Sequence, residues 1–225
     1  MTAALIVAAG SASRMGFDKL LAPLGGEPVI LRTMRAFQVC GDIDGIWVVA
    51  GDERGMRIKE LAAGLTKFRG IVPGGAERHL SVWNGLQALP GDCELVAVHD
   101  GARPLIQPEQ ISRCLAMASE RGAAASARRV TETVKRADAA GLVTEAVERD
   151  GLWIMETPQA FRLVILREAC AAVIHRGGLV TDEVSAVHDF GHPVQLVENA
   201  SPNPKITLPG DFEAAVGFGA RVTTR

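Results

Sequence analysis

Short apolar runs alternate along this chain with stretches in which apolar residues recur every three or four positions, the pattern of buried strands connected by amphipathic helices. The runs are Ala3–Ala9, Ile46–Ala50, Phe68–Val72, Glu94–Asp100 and Gly122–Ala127. Between them, Val29, Ile30, Met34 and Phe37 follow helical spacing, as do the stretches Arg54–Ala63 and Pro108–Arg121, and Leu80, Trp83, Leu86 and Leu89 share one side of a further helix. Strands separated by helices run parallel with right-handed crossovers. The pattern therefore predicts an α/β fold, a Rossmann-like, mostly parallel sheet with helices on both faces, and it gathers the loops after Ala9, Val72 and Asp100 on one sheet edge. The rhythm breaks at about residues 129–150, where Val130–Arg136 and Leu142–Arg149 alternate around Ala140-Gly141, a hairpin with too little apolar surface to stand alone in water. We expect it to protrude as an arm that packs against a second subunit. The closing third predicts helices at Leu163–His175, Asp182–Phe190 and after Pro209, with a strand at Val194–Val197. Thr181-Asp182-Glu183 reads as an N-cap with an acidic first turn.

A length of 225 residues suits one substantial domain, and no linker, repeat or low-complexity segment divides residues 1–225. The net charge of -2, the lack of a Lys/Arg block and the absence of Tyr exclude a surface for nucleic acid, which needs a cationic face and rings to stack on. The four cysteines lie apart inside apolar segments with no Cys-x-x-Cys pair, so they read as reduced core residues. With neither a signal-like leader nor an apolar run of membrane length, the expected location is cytoplasmic.

Candidate chemistry begins at the first strand's end. Ala8-Ala9-Gly10 opens a small-residue loop that closes with Arg14-Met15-Gly16 and Lys19. It lacks the Gly-Lys-Ser/Thr of a Walker A loop and the three spaced glycines of a dinucleotide fingerprint. Small side chains let backbone approach an anion that Arg14 and Lys19 would neutralise, although a strand-to-helix turn with two solvated cations has the same composition. In His99-Asp100-Gly101-Ala102-Arg103-Pro104, an acid at a strand end can hold Mg²⁺ against phosphate oxygens, or simply cap a turn. His99 reads as a supporting residue. Gly75 before a helix carrying Ser81 could expose backbone to the edge of a base, or be a glycine turn. The hairpin bears Thr133, Lys135, Arg136 and Arg149, and Lys205 sits in Asn203-Pro204-Lys205-Ile206-Thr207. No spacing suggests a covalent nucleophile.

In order and spacing, the Ala-Ala-Gly loop with Arg14-Met15-Gly16 and Lys19, Gly75 with Glu77-Arg78 and Ser81, His99–Pro104, Thr133 before Lys135-Arg136, Arg149–Trp153, Thr157-Pro158-Gln159, Thr181–Glu183 and Asn203-x-Lys205-Ile206-Thr207 resemble the 2-C-methyl-D-erythritol 4-phosphate cytidylyltransferases of non-mevalonate isoprenoid synthesis. The likeness covers nearly the whole chain. It implies a nucleotide-diphospho-sugar transferase-like fold and the joining of CTP to methylerythritol phosphate with Mg²⁺, by attack of the substrate phosphate on the α-phosphorus and release of pyrophosphate. It further implies that Arg14 and Lys19 stabilise the transferring group, that Asp100 holds the metal, and that Ala8, Ala9, Gly10, Gly75 and Ser81 hold the cytidine. Gly101 and Arg103 would belong to the substrate site, Thr133 and Arg149 would reach the acceptor of the neighbouring subunit through an exchanged arm of a homodimer, and Lys205 would steer the attacking phosphate.

The sequence departs from the family pattern at Ala12 (commonly glycine), at Asp18 (usually proline), at Ala76 (commonly polar) and, mildly, at Gly101 (alanine). A ribitol 5-phosphate cytidylyltransferase shares most blocks, but Ala102 and Ala8-Ala9-Gly10 favour the isoprenoid enzyme. A molybdenum-cofactor nucleotidyltransferase has a similar start but does not account for Thr157-Pro158-Gln159 or the hairpin. A nucleotide-binding regulator without turnover would not need Arg14, Lys19 and Asp100 together.

Overall fold

The computed structural model describes residues 1–10 and 16–222. Seven strands form one sheet in the order β11-β7-β10-β6-β1-β4-β5. They are β1 (Thr2–Val7), β4 (Gly45–Ala50), β5 (Phe68–Pro73), β6 (Leu95–Asp100), β7 (Ala123–Arg129), β10 (Trp153–Arg162) and β11 (Gln195–Glu198). Strands β1, β4, β5 and β6 run parallel, as do β7 and β11, while β10 pairs antiparallel with both β6 and β7. Short β2 (Pro23–Leu24) and β3 (Glu27–Pro28) pair with each other. The predicted arm is an antiparallel ribbon of β8 (Val134–Ala137) and β9 (Val143–Val147), separate from the main sheet and largely exposed.

Period-two alternation explains how the central strand serves two cores. Along β1, Ala4 and Ile6 point to one face and Ala3 and Leu5 to the other, and all four are fully buried. On the first face they meet α1 (Val29–Val39), α2 (Asp52–Leu61) and α4 (Pro108–Arg121) through Met34, Phe37, Ile58 and Ile111. On the second they meet α3 (Arg78–Gln87), α5 (Leu163–His175) and α6 (Glu183–Asp189) through Leu86, Leu166, Val173 and Val187. Helix α7 (Pro209–Val222) closes the described chain. Helix α4 matches its predicted span because Pro108 opens it, where the missing N–H costs nothing, and Gly122 ends it at φ 91°.

Strand β10 was not expected. Glu156, Thr157, Pro158 and Gln159 interrupt any apolar run there, and the pairing with β7 shifts register between Met155 and Gln159, which lets proline sit where no ladder donor is required. No helix among the described residues is long and apolar enough to cross a membrane.

Candidate active site

Parallel pairing aligns the carboxyl ends of four strands, with Val7 opposite both Val49 and Asp100, and Ala50 opposite Pro73. The loops that leave them enclose a cavity of about 390 Å³ lined by Ala8, Ala9, Gly10, Lys19, Gly75, Ala76, Glu77, Arg78, Ser81, Asp100, Ala102 and Lys205. Lys19, Gly75, Ser81, Asp100 and Lys205, scattered over most of the sequence, therefore face one space. Arg14 and Ala12 lie outside the described residues.

Asp100 is 5% exposed and surrounded by cations. Arg78 donates to its Oδ1 at 2.7 Å, Arg103 Nε donates to Oδ2 at 3.2 Å, and Lys205 Nζ lies 3.2 Å from Oδ2. Burial alone would raise the pKa of this carboxyl, but the charges of Arg78, Lys205 and Arg103 outweigh it and hold the group well below the ordinary range, hence ionised. Arg78 extends its other nitrogen to Glu183 Oε2 at 3.0 Å. Burial pushes Glu183 upward against the pull of that guanidinium. This overturns the reading of Thr181-Asp182-Glu183 as a cap alone. Asp182 does cap α6, accepting from Ser185 N–H at 3.0 Å, but Glu183 is a buried ion-pair partner of the site. Arg78 and Glu183 carry no independent sequence signal, since an Arg in a first helical turn is ordinarily solvated.

Behind Asp100 a polar chain fixes its backbone. Asp100 N–H donates to Thr157 Oγ1 at 3.1 Å, and that oxygen lies 2.9 Å from His99 Nδ1. His99 Nε2 is 3.2 Å from the Arg103 carbonyl, an acceptor only, so the proton belongs on Nε2 and the Thr157 hydroxyl donates to Nδ1. Complete burial brings the His99 pKa down to about 3, so the ring is neutral and supports rather than reacts.

The remaining expected residues divide by place. Ser81 is buried, and its hydroxyl accepts from Gly75 N–H at 3.0 Å and sits 3.3 Å from the Gly75 carbonyl, so it shapes the glycine loop. A Cβ on Gly75 would lie 2.6 Å from Leu80 Cβ, which is why this turn needs glycine. Ala8 commits its N–H to Val49 O at 2.7 Å. Gly101 lies behind the cavity, where a Cβ would come 2.8 Å from Ile30 Cδ1. Thr133 and Arg149 are exposed on or beside the arm, outside the cavity lining, and Arg149 donates to the Thr131 carbonyl.

A second cavity, about 550 Å³, is lined by Arg103, Arg128, Glu156, Asn199, Ser201, Asn203 and Lys205 among others. Lys205 belongs to both spaces. Its loop is fixed to the turn after β6 by Arg103 Nη1 to Asn203 O (2.8 Å) and Ile206 N to Ala102 O (2.9 Å), and to β10 by Asn203 Nδ2 to Thr157 O (2.8 Å).

Among the described residues no three His, Cys, Asp or Glu side chains cluster as a metal cage. The donor set suits a different kind of ion. A carboxylate accepts at roughly four positions, and the three cations around Asp100 occupy three. One ionised carboxylate beside a cavity is what a hard divalent cation needs when phosphates supply its other oxygens. Together with Lys19, Arg78, Arg103 and Lys205 around it, the ionised carboxylate makes a predominantly cationic site suited to anionic ligands.

Comparison with known proteins agrees with this chemistry. Residues 2–218 match the family model described as 2-C-methyl-D-erythritol 4-phosphate cytidylyltransferase. The chain is 40% identical over 214 residues to the protein of that name from Geobacillus kaustophilus, covering 93% of this chain and 92% of the relative. It is also 40% identical over 213 residues to that from Prochlorococcus marinus, covering 94% and 95%. The solved 4-diphosphocytidyl-2C-methyl-D-erythritol synthase of Anaerococcus prevotii superposes with a TM-score of 0.87 at 29% identity, over 98% of this chain and 96% of the other. The Thermus thermophilus 2-C-methyl-D-erythritol 4-phosphate cytidylyltransferase gives 0.80 at 29% identity, over 96% and 98%.

Proposed function

The chain belongs to the 2-C-methyl-D-erythritol 4-phosphate cytidylyltransferase family, and from that membership we propose that its two joined cavities bring CTP and methylerythritol phosphate together for cytidylyl transfer. The observation that carries this reading is Lys205, which lines both cavities and sits 3.2 Å from Asp100.

In this reading the nucleotide occupies the cavity between the Ala8–Gly10 and Gly75–Ser81 turns, with the base against the glycine turn and the phosphates toward Lys19 and Asp100. The acceptor lies in the second cavity and presents its phosphate past Lys205. An oxygen of that phosphate attacks the α-phosphorus, the bond to the β-phosphate breaks, and pyrophosphate leaves as 4-diphosphocytidyl-2-C-methyl-D-erythritol forms. The nucleophile is already an anion, so the chain has no proton to remove. Its contribution is alignment and charge neutralisation, which supply most of the rate in phosphoryl chemistry. Asp100 would hold Mg²⁺, which when bound supplies Lewis acidity at the phosphate oxygens. Arg78 and Arg103 orient that carboxylate, and Lys205 offsets repulsion between the two anionic substrates.

Thr133 and Arg149 lie on the exposed arm, and exposed Leu142 and Val143 give it an apolar tip. An isolated ribbon needs a partner surface. We read the arm, at about residues 129–150 of a single domain spanning 1–225, as exchanged in a homodimer so that these two residues reach the other subunit's acceptor. Four buried free thiols suit the cytoplasm as the site of the reaction.

Pyrophosphate release measured with CTP and each of methylerythritol phosphate and ribitol 5-phosphate tests the assignment. Turnover with the first and not the second is expected. Preference for ribitol phosphate, or release without either acceptor, would overturn it, and a titration of CTP against other triphosphates checks the base.

A further inference from the structure

The two described ends of the nucleotide loop are held by one side chain from a different crossover. Arg54, on α2, donates through Nη1 to the carbonyls of Ala8 at 2.6 Å and Gly10 at 2.9 Å, and through Nε to Asp18 Oδ2 at 2.7 Å. The guanidinium thus touches the residues where the chain leaves β1 and the residue just before Lys19. Its side chain is only 16% exposed, so these bonds are partly shielded from solvent.

Asp18 in turn builds the bend that carries Lys19. Its Oδ1 accepts from Leu20 N–H at 3.1 Å, and its carbonyl accepts from Leu21 N–H at 3.2 Å and Ala22 N–H at 3.1 Å. Lys19 lies inside that bend with its side chain on the cavity. A carboxylate next to a polyphosphate site would ordinarily repel the ligand, and pairing with Arg54 neutralises it and turns its Oδ2 toward α2.

We propose that Asp18 and Arg54 form a positioning clamp for the nucleotide loop, setting the distance between the Ala8–Gly10 backbone and Lys19 at which a nucleoside triphosphate fits. Neither residue lines the nucleotide cavity, so both act through Lys19 and the loop. A flexible point charge cannot reproduce the clamp, because the three acceptors need a planar fork. The inference rests on the reading of this cavity as the CTP site.

Asp18→Ala, Asp18→Asn, Arg54→Lys and the double variant Asp18→Ala/Arg54→Lys are compared by steady-state kinetics, calorimetric CTP binding and thermal melting. Displacing a positioned cation by a fraction of an ångström costs on the order of tenfold or more. Asp18→Ala and Arg54→Lys should each lose about tenfold in kcat/KM for CTP, with the KM for the polyol phosphate within about twofold of wild type. Asp18→Asn, which keeps the shape and an acceptor, should recover to within about threefold of wild type. Because the two residues act as one unit, the double variant should fall no more than about twofold below the worse single. Wild-type-like singles, multiplying losses, Asn as damaging as Ala, or an equal rise in both substrate KM values with a lowered melting temperature would each overturn the clamp. Calorimetry separates this from the functional assignment. If the wild-type protein binds CTP but transfers no cytidylyl group, the assigned reaction fails, while weaker CTP binding in the variants would still support the clamp.

Discussion

Arg78 and Glu183 stand 105 residues apart in the chain and 3.0 Å apart in space, and the same guanidinium reaches Asp100 at 2.7 Å. One cation thus joins the glycine turn, the β6 end and the α6 start, three segments that must keep a fixed spacing for the cavity to exist.

Removing the Glu183 carboxylate leaves Arg78, a guanidinium 27% exposed at the cavity wall, with one buried carboxylate partner instead of two. Glu183→Ala should destabilise the protein by about 3 kcal/mol, in the range for a broken buried pair, and Glu183→Gln by less, because the amide oxygen still accepts from Arg78. Urea unfolding of the two variants beside wild type measures the difference. Equal midpoints for all three would show that the pair contributes nothing.

Lys19 borders the cavity but builds none of the core, so Lys19→Ala should separate rate from folding. Turnover should fall on the order of 10² to 10³ by analogy with a lost oxyanion donor, with the melting temperature unchanged within error. Stopped pyrophosphate release and a thermal melt on one preparation check both halves.

If the arm is exchanged between subunits as proposed, inactive variants should complement each other. Arg149→Ala should weaken use of the polyol phosphate more than CTP binding. In a dimer it should remove function from the neighbour's site, whereas Lys19→Ala removes function from its own. At a polyol phosphate concentration too low for Arg149→Ala to turn over, random mixing of the two variants makes half the dimers mixed, each with one intact site, so activity should return to about a quarter of wild type. No recovery after mixing under exchange conditions would refute the shared site.

Thr157→Val removes the hydroxyl that accepts from Asp100 N–H and donates to His99, and leaves both groups buried without that partner. Two such orphans cost about 2 to 4 kcal/mol. The melting temperature should drop by on the order of 10 °C for a chain of this length, which differential scanning calorimetry would resolve.

Burial pushes the Cys114 and Cys170 thiols up to about 12 from an ordinary value near 9. At pH 8 the native protein should show almost no fast reaction with iodoacetamide, and all four thiols should react after unfolding. The linkage has one sign. The unfolded thiols ionise first as pH rises, so the stability contribution of these groups is full below about pH 9 and is lost progressively toward 12. Cys114→Val should flatten that alkaline loss, and an unchanged slope in thermal melts between pH 8 and 11 would contradict it.

Much of the scaffold was legible because its signals are local. The apolar runs at β1, β4, β5, β6 and β7 and the spaced positions of α1, α3, α4 and α5 each identify an element from its own residues, since period 2 and period 3.6 are properties of a single segment. Parallel order along one edge follows from helical crossovers, and Gly10, Gly75 and Asp100, which that order placed in one crevice, line one cavity. Strand β10 escaped because its centre, Glu156-Thr157-Pro158-Gln159, buries polar groups that only neighbours can satisfy. Gln159 bonds Asp182 and Val184 N–H, and Asn199 donates to Glu156.

By itself the sequence determined the alternation of strands and helices, the separate hairpin, the small-residue composition of the first loop and the acid at the end of β6, because each depends on neighbours within a few positions. Tertiary structure alone decided that Arg78 would spend its charge on Asp100 and Glu183, that Arg54 would hold Ala8, Gly10 and Asp18, and that Lys205 would face two cavities. Those partners are set by where distant segments meet, and the field at a buried carboxylate depends on distance through space, which chain position does not record.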